Sequence, residues 1–303
     1  MRLSLSLFLA ALTGLTACTK EPRPVRLDFI GSSRFTSSDR TAGPGDTLSS
    51  RLYASVDTTS ELALTHFRVT VRYEPTPVPQ VYATPALPLR NVPGDSLVYL
   101  DSTFTAAAAR RQLVYQNSFG TRTTSGRERW EFTVSDGNNM STRTFRVRVI
   151  NRDSTADYHQ YTLRIPTAPA RPARPFVALL PGLALPASAI RASAPGRQLI
   201  DLVYRPGATS LVVYENPDRT ARAVLRRTAL DSVAFVRLAT PTLIAGAFTQ
   251  AAAPAPSTGV LARNDVIAFR TVDNHVGVFT VRRLALTPYP VLELLVRVLK
   301  TPG

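Results

Sequence analysis

The sequence predicts a mainly β protein of two β-rich units in series. Three observations carry this reading. Apolar and polar residues alternate with a period of two through much of the chain, as in Phe67, Val69, Val71 and Tyr73 against Arg68, Thr70 and Arg72. Two pairs of such runs close around short polar turns, Ser135 to Asn139 and Val272 to His275. The apolar stretch from Phe176 to Ile190 carries Pro181 and Pro186, which rule out one long helix. A length of 303 residues suits about two domains.

Taken in order, Val25, Leu27 and Phe29 alternate with Arg26 and Asp28, which marks a half-buried strand. A polar turn region runs from Gly31 to Asp46. Leu52, Ala54 and Val56 repeat the alternation, and Phe67 to Tyr73 is the clearest of these early strands. Pro75, Pro77, Pro79, Pro85 and Pro88 then break regular structure. Leu97 to Leu100 is a short apolar strand, and Thr105 to Arg111, with four consecutive alanines, suits one or two turns of helix. Trp130, Phe132 and Val134 lead into the turn Ser135 to Asn139, and Phe145, Val147 and Val149 return from it. Strands at this short spacing, ending in a hairpin, argue a β-sandwich of immunoglobulin-like type over residues 25–150. The cysteine pair of antibody domains is absent, so its core rests on Trp130 and its neighbours. Trp130 could also stack on a sugar, but its alternating position favours the core.

Residues 151–156 read as a polar linker into a second unit, residues 157–303. Tyr158 to Ile165 is a strand, and Pro166 to Pro175 is an exposed extended loop. Leu199 to Tyr204 and Leu211 to Tyr214 are apolar on both faces, as in central strands, with Asp201 inside the first as a structural carboxylate. Ala229 to Leu238 suits a short helix. Thr240-Pro241 is an N-cap followed by proline at the first helical position, opening a helix through Phe248. Gln250 to Gly259 is a loop. Asp265 to Thr271 and Val276 to Val281 form the second hairpin, and Gly277 inside it implies a close backbone neighbour. Leu292, Leu294, Val296 and Val298 form a final strand. The second unit is therefore β-rich α+β.

The N-terminus carries a different signal. Arg2 precedes an apolar run from Leu3 to Leu12, which is too short to span a bilayer but suits a signal h-region. Leu15, Thr16 and Ala17 lead to Cys18, the only cysteine, so no internal disulfide or cysteine zinc site can form. This stretch resembles the lipobox of bacterial lipoproteins. The resemblance implies cleavage before Cys18 and acylation at Cys18. Residues 1–17 are then the signal peptide and residues 18–24 a lipidated tether. Lys20 and Glu21 resemble the short Lys-acidic export signal of surface-displayed members, which implies the cell surface of an outer membrane.

Arg127 to Gly137 resembles the end of the N-terminal immunoglobulin-like domain of uncharacterised Bacteroidota-type surface lipoproteins. Asn264 to Val281, Ile200 to Tyr204 and Tyr214 to Asp218 resemble strand and turn positions of their C-terminal β-rich domain. The resemblance covers most of the mature chain but brings no activity and no catalytic residue.

Charge narrows the partners. Net charge is +15, and loss of Arg2 with the signal leaves +14. Such a field draws anions, acidic glycans and lipopolysaccharide above all, with nucleic acid disfavoured. Lys20 and Lys300 are the only lysines among 36 basic residues, so 34 are arginine, as a GC-rich genome also writes by default. Catalytic signatures are missing. His66, His159 and His275 lack metal-ligand spacing, with surface or edge roles expected for His66 and His275. No GxSxG elbow occurs, and Gly43 to Thr47 lacks the lysine of a phosphate loop. Paired carboxylates meet in space, so the sequence leaves them open. The expectation is a membrane-anchored surface lipoprotein without cofactor, binding a glycan, matrix or envelope partner. A surface hydrolase acting on polysaccharide and a periplasm-facing structural protein stay open as alternatives.

Overall fold

The computed structural model describes residues 24–57, 62–75, 95–105, 110–151, 157–167, 173–192, 194–285 and 291–302. The architecture is mainly β, as the alternation predicts. Residues 25–150 contribute β1 (Val25–Phe29), β2 (Arg40–Ala42), β3 (Thr47–Val56), β4 (His66–Pro75), β5 (Asp95–Thr103), β6 (Gln112–Gly120), β7 (Gly126–Ser135) and β8 (Met140–Val149). They form two sheets, one of order β1-β3-β6 and one of order β2-β8-β7-β4-β5. The inward rows of both meet in one aromatic core. Phe119 of β6 lies 4.0 Å from Trp130 of β7, and Phe29 of β1 meets Phe132 edge-on at 5.6 Å. Trp130 is fully buried, as its place in the alternation requires.

Three differences from the sequence reading have physical causes. The polar region before β3 contains β2, a three-residue edge strand held in parallel by Arg40 opposite Val147 and Ala42 opposite Val149. β6 carries alternating Leu113, Tyr115 and Phe119, but only Phe119 is fully covered and Val114 faces solvent. Its period is therefore diluted, as expected at a sheet edge. Of the helix expected at Thr105 to Arg111, residues 106–109 lie outside the described residues, and Arg110 makes an isolated bridge to Leu64.

The second half adds β9 (Tyr158–Pro166), β10 (Phe176–Ala178), β11 (Leu183–Leu185), α1 (Ala187–Ala192), α2 (Ala194–Gln198), β12 (Leu202–Arg205), β13 (Ser210–Val213) and β14 (Val224–Arg227). It closes with α3 (Ser232–Arg237), α4 (Pro241–Thr249), β15 (Val266–Arg270), β16 (Val276–Ala285) and β17 (Val291–Leu299). A four-stranded sheet, β11-β10-β12-β13, packs on a five-stranded sheet, β14-β15-β16-β17-β9. α3 and α4 cover the other face of the five-stranded sheet. That explains the unbroken apolar run of β15: Ile267 and Phe269 face the four-stranded sheet, while Val266 and Ala268 face the helices. Thr240 caps α4 by accepting from the Leu243 amide, as its Thr-Pro start predicts. A Cβ on Gly277 would lie 2.6 Å from the Arg297 carbonyl oxygen, so the close neighbour read from the sequence is β17.

Here too some expectations shift. Leu211 to Tyr214 is not central: β13 ends its sheet, and its outer edge is covered by the loop after α4, where the Val213 amide donates to Pro256 O at 2.9 Å. Asp201 lies just before β12, not within it. His275 is buried, with Nδ1 2.9 Å from Leu299 O, so the surface role expected for it is replaced by a tie to the last strand. β14, Val-Leu-Arg-Arg, is too short to show a period.

The first core also takes in Ala178, Leu183, Leu185, Ala189, Ile190 and Ile200, and both α1 and α2 pack on β5. The outer face of the four-stranded sheet is thus covered at β10 and β11 and left open at β12 and β13.

Trp130 touches Phe119 and Tyr99 and has no solvent exposure. Trp130→Ala is expected to cost about 3–5 kcal/mol in denaturant unfolding, as for other buried aromatics. A variant as stable as its parent would remove Trp130 as the keystone of this core.

Candidate functional site

Two features stand out on the surface. The first is the outer face of the β2-β8-β7-β4-β5 sheet. Side chains alternate along a strand, so Arg127 and Arg129 of β7 face out while Glu128 and Trp130 face in. Register then lines arginines up across the strands. Arg148, Arg127 and Glu74 form one row, and Arg146, Arg129 and Arg72 form the next. Strands are about 4.8 Å apart, and residues two apart on a strand are about 7 Å apart, so five guanidinium groups share a small flat field. Carboxylates only partly compensate: Arg129 reaches Glu131 at 3.7 Å, Arg72 reaches Glu74 at 3.9 Å, and Arg146 reaches Asp39 at 3.8 Å. Arg127 and Arg148, opposite each other, make no ion pair among the described residues.

The second feature is a groove of about 720 Å3 on the open half of the four-stranded sheet. Phe176, Val203 and Val212 sit side by side on three adjacent strands and form its floor with Tyr214. Phe176 and Tyr214 meet edge-on at 5.8 Å. The Pro254-Ala255-Pro256 segment walls one side, held by Ala255 N to Leu225 O and Val213 N to Pro256 O, both 2.9 Å. Arg205, Glu215 and Arg222 provide its charges, and Arg222 is paired with Glu215 at 3.0 Å.

Buried carboxylates were the open question for catalysis. Glu128 accepts from the Arg122 amide and from Trp130 Nε1 at 2.9 Å. Burial raises its pKa, and those two donors and the Arg122 charge oppose the rise. Asp201 accepts from the Leu179 amide at 2.7 Å and the Val272 amide at 2.9 Å. It staples two loops together, which is the structural part that the sequence suggested. Burial pushes it up from 3.8 to about 7 against the pull of those amides, with Asp273 raising and Arg219 lowering it further. Neither carboxylate lines the groove or the smaller cavity of about 100 Å3 near Arg174 and Gly182. Among the described residues no cluster of three or more histidine, cysteine, aspartate or glutamate side chains could hold a metal. His66 pairs with Asp101 on the exposed sheet face, and His159 lies in β9.

The residues singled out at the N-terminus, Leu15, Thr16, Ala17, Cys18, Lys20 and Glu21, lie outside the described residues. No described helix is long and apolar enough to cross a membrane. The arginine rows could be read from the alternation of each strand, but not the register that aligns them. The groove left no signal, because its floor is built from three strands and its wall from a loop about 40 residues away.

No family model matches the chain, and no curated protein matches it. A crystal structure of a DUF4466 family protein from Parabacteroides merdae is similar over 92% of this chain and 99% of its own, with 8% identity and a TM-score of 0.33. This structural neighbour is an uncharacterised protein of a Bacteroidota species.

The raised pKa of Asp201 makes a signed prediction. A carboxyl that is harder to ionise when folded stabilises most below the ordinary carboxylate range, and that contribution falls as pH rises from about 4 to about 7. The shift corresponds to a loss of up to about 4 kcal/mol across that window. Denaturant unfolding at several pH values should show a shallower decline for Asp201→Asn than for wild type. Equal slopes would mean that another group titrates there.

Proposed function

We propose that this chain is a lipid-anchored outer-membrane protein, displayed at the cell surface, whose body binds acidic glycans without chemical conversion. The observation that carries the binding reading is the pair of in-register arginine rows. Like charges directly opposite on a sheet destabilise it. Arg127 faces Arg148 and Arg129 faces Arg146, so the sheet bears a cost that a bound polyanion would relieve. The flat spacing suits a chain with repeating anionic groups, and a net charge of +14, the +15 of the full chain less Arg2, would steer it there. The anchoring reading rests on Leu15-Thr16-Ala17-Cys18 and on the single cysteine. Two acyl chains on one residue would hold the body firmly to a bilayer. The organisation proposed with it is a signal at 1–17, a tether at 18–24, an immunoglobulin-like sandwich at 25–150, a linker at 151–156 and the second unit at 157–303.

Retention of the mature protein on immobilised heparin should fall steeply with salt, because each contact releases condensed counterions. The combined Arg127→Gln, Arg129→Gln, Arg146→Gln, Arg148→Gln variant should elute at markedly lower salt, with an unfolding midpoint no lower than that of wild type because the facing like charges are gone. Retention indifferent to salt, or to these four substitutions, would sink the glycan reading.

Anchoring has its own test. Wild type should partition into detergent with membranes, and Cys18→Ser should leave precursor or a soluble form. Protease added to intact cells should digest the body, and a Lys20→Ala, Glu21→Ala variant should be protected. A wild type already protected in intact cells would place the body on the periplasmic side.

A further inference from the structure

The groove on the four-stranded sheet has a chemistry that differs from the arginine face. We propose that it binds a free long-chain carboxylate, an apolar chain ending in a single anionic group. A volume of about 720 Å3 lies within the range of small-molecule sites. Its floor of Phe176, Val203, Val212 and Tyr214 and its Pro254 to Pro256 wall are mostly apolar. The side chains of Val203, Val212, Pro254 and Pro256 offer no hydrogen-bond partner, which suits an alkyl chain, since that needs only surface to cover. At β10 and β11 the same sheet face is covered by the first core. At β12 and β13, Val203 and Val212 stay half-exposed among the described residues.

Charge then selects the end group. Arg222 already has Glu215 at 3.0 Å. Arg205, at the end of β12 opposite Ser210, has no ion pair among the described residues. One guanidinium is therefore available beside an apolar floor, which complements one carboxylate on an apolar chain. Arginine holds a carboxylate through two parallel N–H bonds, so the contact orients the chain as well as attracting it.

The test is displacement of 1-anilinonaphthalene-8-sulfonate fluorescence by dodecanoate and by dodecanol, both below micelle formation, using the full-length mature protein. Wild type should bind dodecanoate roughly tenfold tighter than dodecanol, the size of one charge-assisted hydrogen-bonded contact. Arg205→Gln should remove that preference and leave dodecanol binding unchanged. Val203→Trp, which fills the floor, should abolish both, with its unfolding midpoint measured to show that it folds. If Val203→Trp does not fold, Val212→Phe serves as the filling variant. Arg148→Gln, on the other sheet, should leave dodecanoate binding as in wild type. The idea is overturned if wild type binds neither probe, if Arg205→Gln keeps the carboxylate preference, or if Arg148→Gln loses it. Loss of heparin retention in Val203→Trp would make the groove part of the glycan site and would also overturn it. The two sites fail separately, because the heparin and dodecanoate measurements use different residues.

Discussion

One buried hydrogen bond sets much of this structure: the indole N–H of Trp130 to the carboxyl of Glu128, 2.9 Å apart. A tryptophan buried at the centre of a sandwich needs a partner for its only donor. Here the partner comes from two residues earlier on the same face of the same strand, so the core carries a carboxyl group with no access to water. That group in turn requires donors, and the Arg122 amide is one of them. The bend that brings Arg122 inward is held by its own side chain, with Nη2 on Thr124 Oγ1 at 2.6 Å and Nε on Thr124 O at 2.9 Å. Thr123 and Thr124 then reach out of the sandwich, and their hydroxyls donate to Gly182 O and Pro181 O. Gly182 suits this contact twice over. Its φ is +65°, and a Cβ there would lie 1.7 Å from Thr123 Oγ1. Satisfying one indole thus leads, link by link, to the docking of the second half.

This chain of requirements explains why the two halves share apolar surface. Pro181 and Gly182 sit in the turn between β10 and β11, so fixing them lays the outer face of the four-stranded sheet against the first sandwich. The covered part ends at Phe176, which touches both the first core and the groove. The groove is the remainder of that face. Its position follows from how far the docking contact extends, and its wall from the 250–258 loop that ties β13 to β14.

The sequence made the fold class legible because most strands have one wet face. β4, β7 and the Phe145–Val149 half of β8 alternate strictly, and the turn between β7 and β8 is written in Asp136 and Gly137, the latter with φ +99°. Capping was legible too at Thr240. What stayed hidden falls into two physical kinds. Short or edge elements, such as β2, β6 and β14, bury too few side chains to impose a period. Long-range partnerships leave no local mark: His275 with Leu299, Asp201 with Leu179 and Val272, and the alignment of arginines across β4, β7 and β8. The surface face was therefore visible as alternating arginines, but not as a field of charge.

Arginine is the residue that divides structure from function in this protein. Some arginines are consumed by folding. Arg297 is nearly buried, yet no carboxylate pairs with it among the described residues; Nη1 donates to the carbonyl oxygens of Phe235 and Leu238 at the end of α3, and Nε donates to Gln160. Carbonyls left over at a helix C-terminus are natural partners for a cation. Burial lowers the pKa of Arg297, as expected for a cation whose partners are dipoles. Arg227 and Arg143 pair with Asp265 and Asp28 across strands or sheets. Among the described residues Arg127, Arg148 and Arg205 have no such partner, though each is held on a strand. A genome bias explains why a basic residue is arginine rather than lysine. It does not explain why two arginines face each other across β7 and β8, or why one stands alone beside an apolar floor. Those placements spend stability or leave charge uncompensated, and an anion bound there, as proposed, would be the physical means by which either cost is recovered.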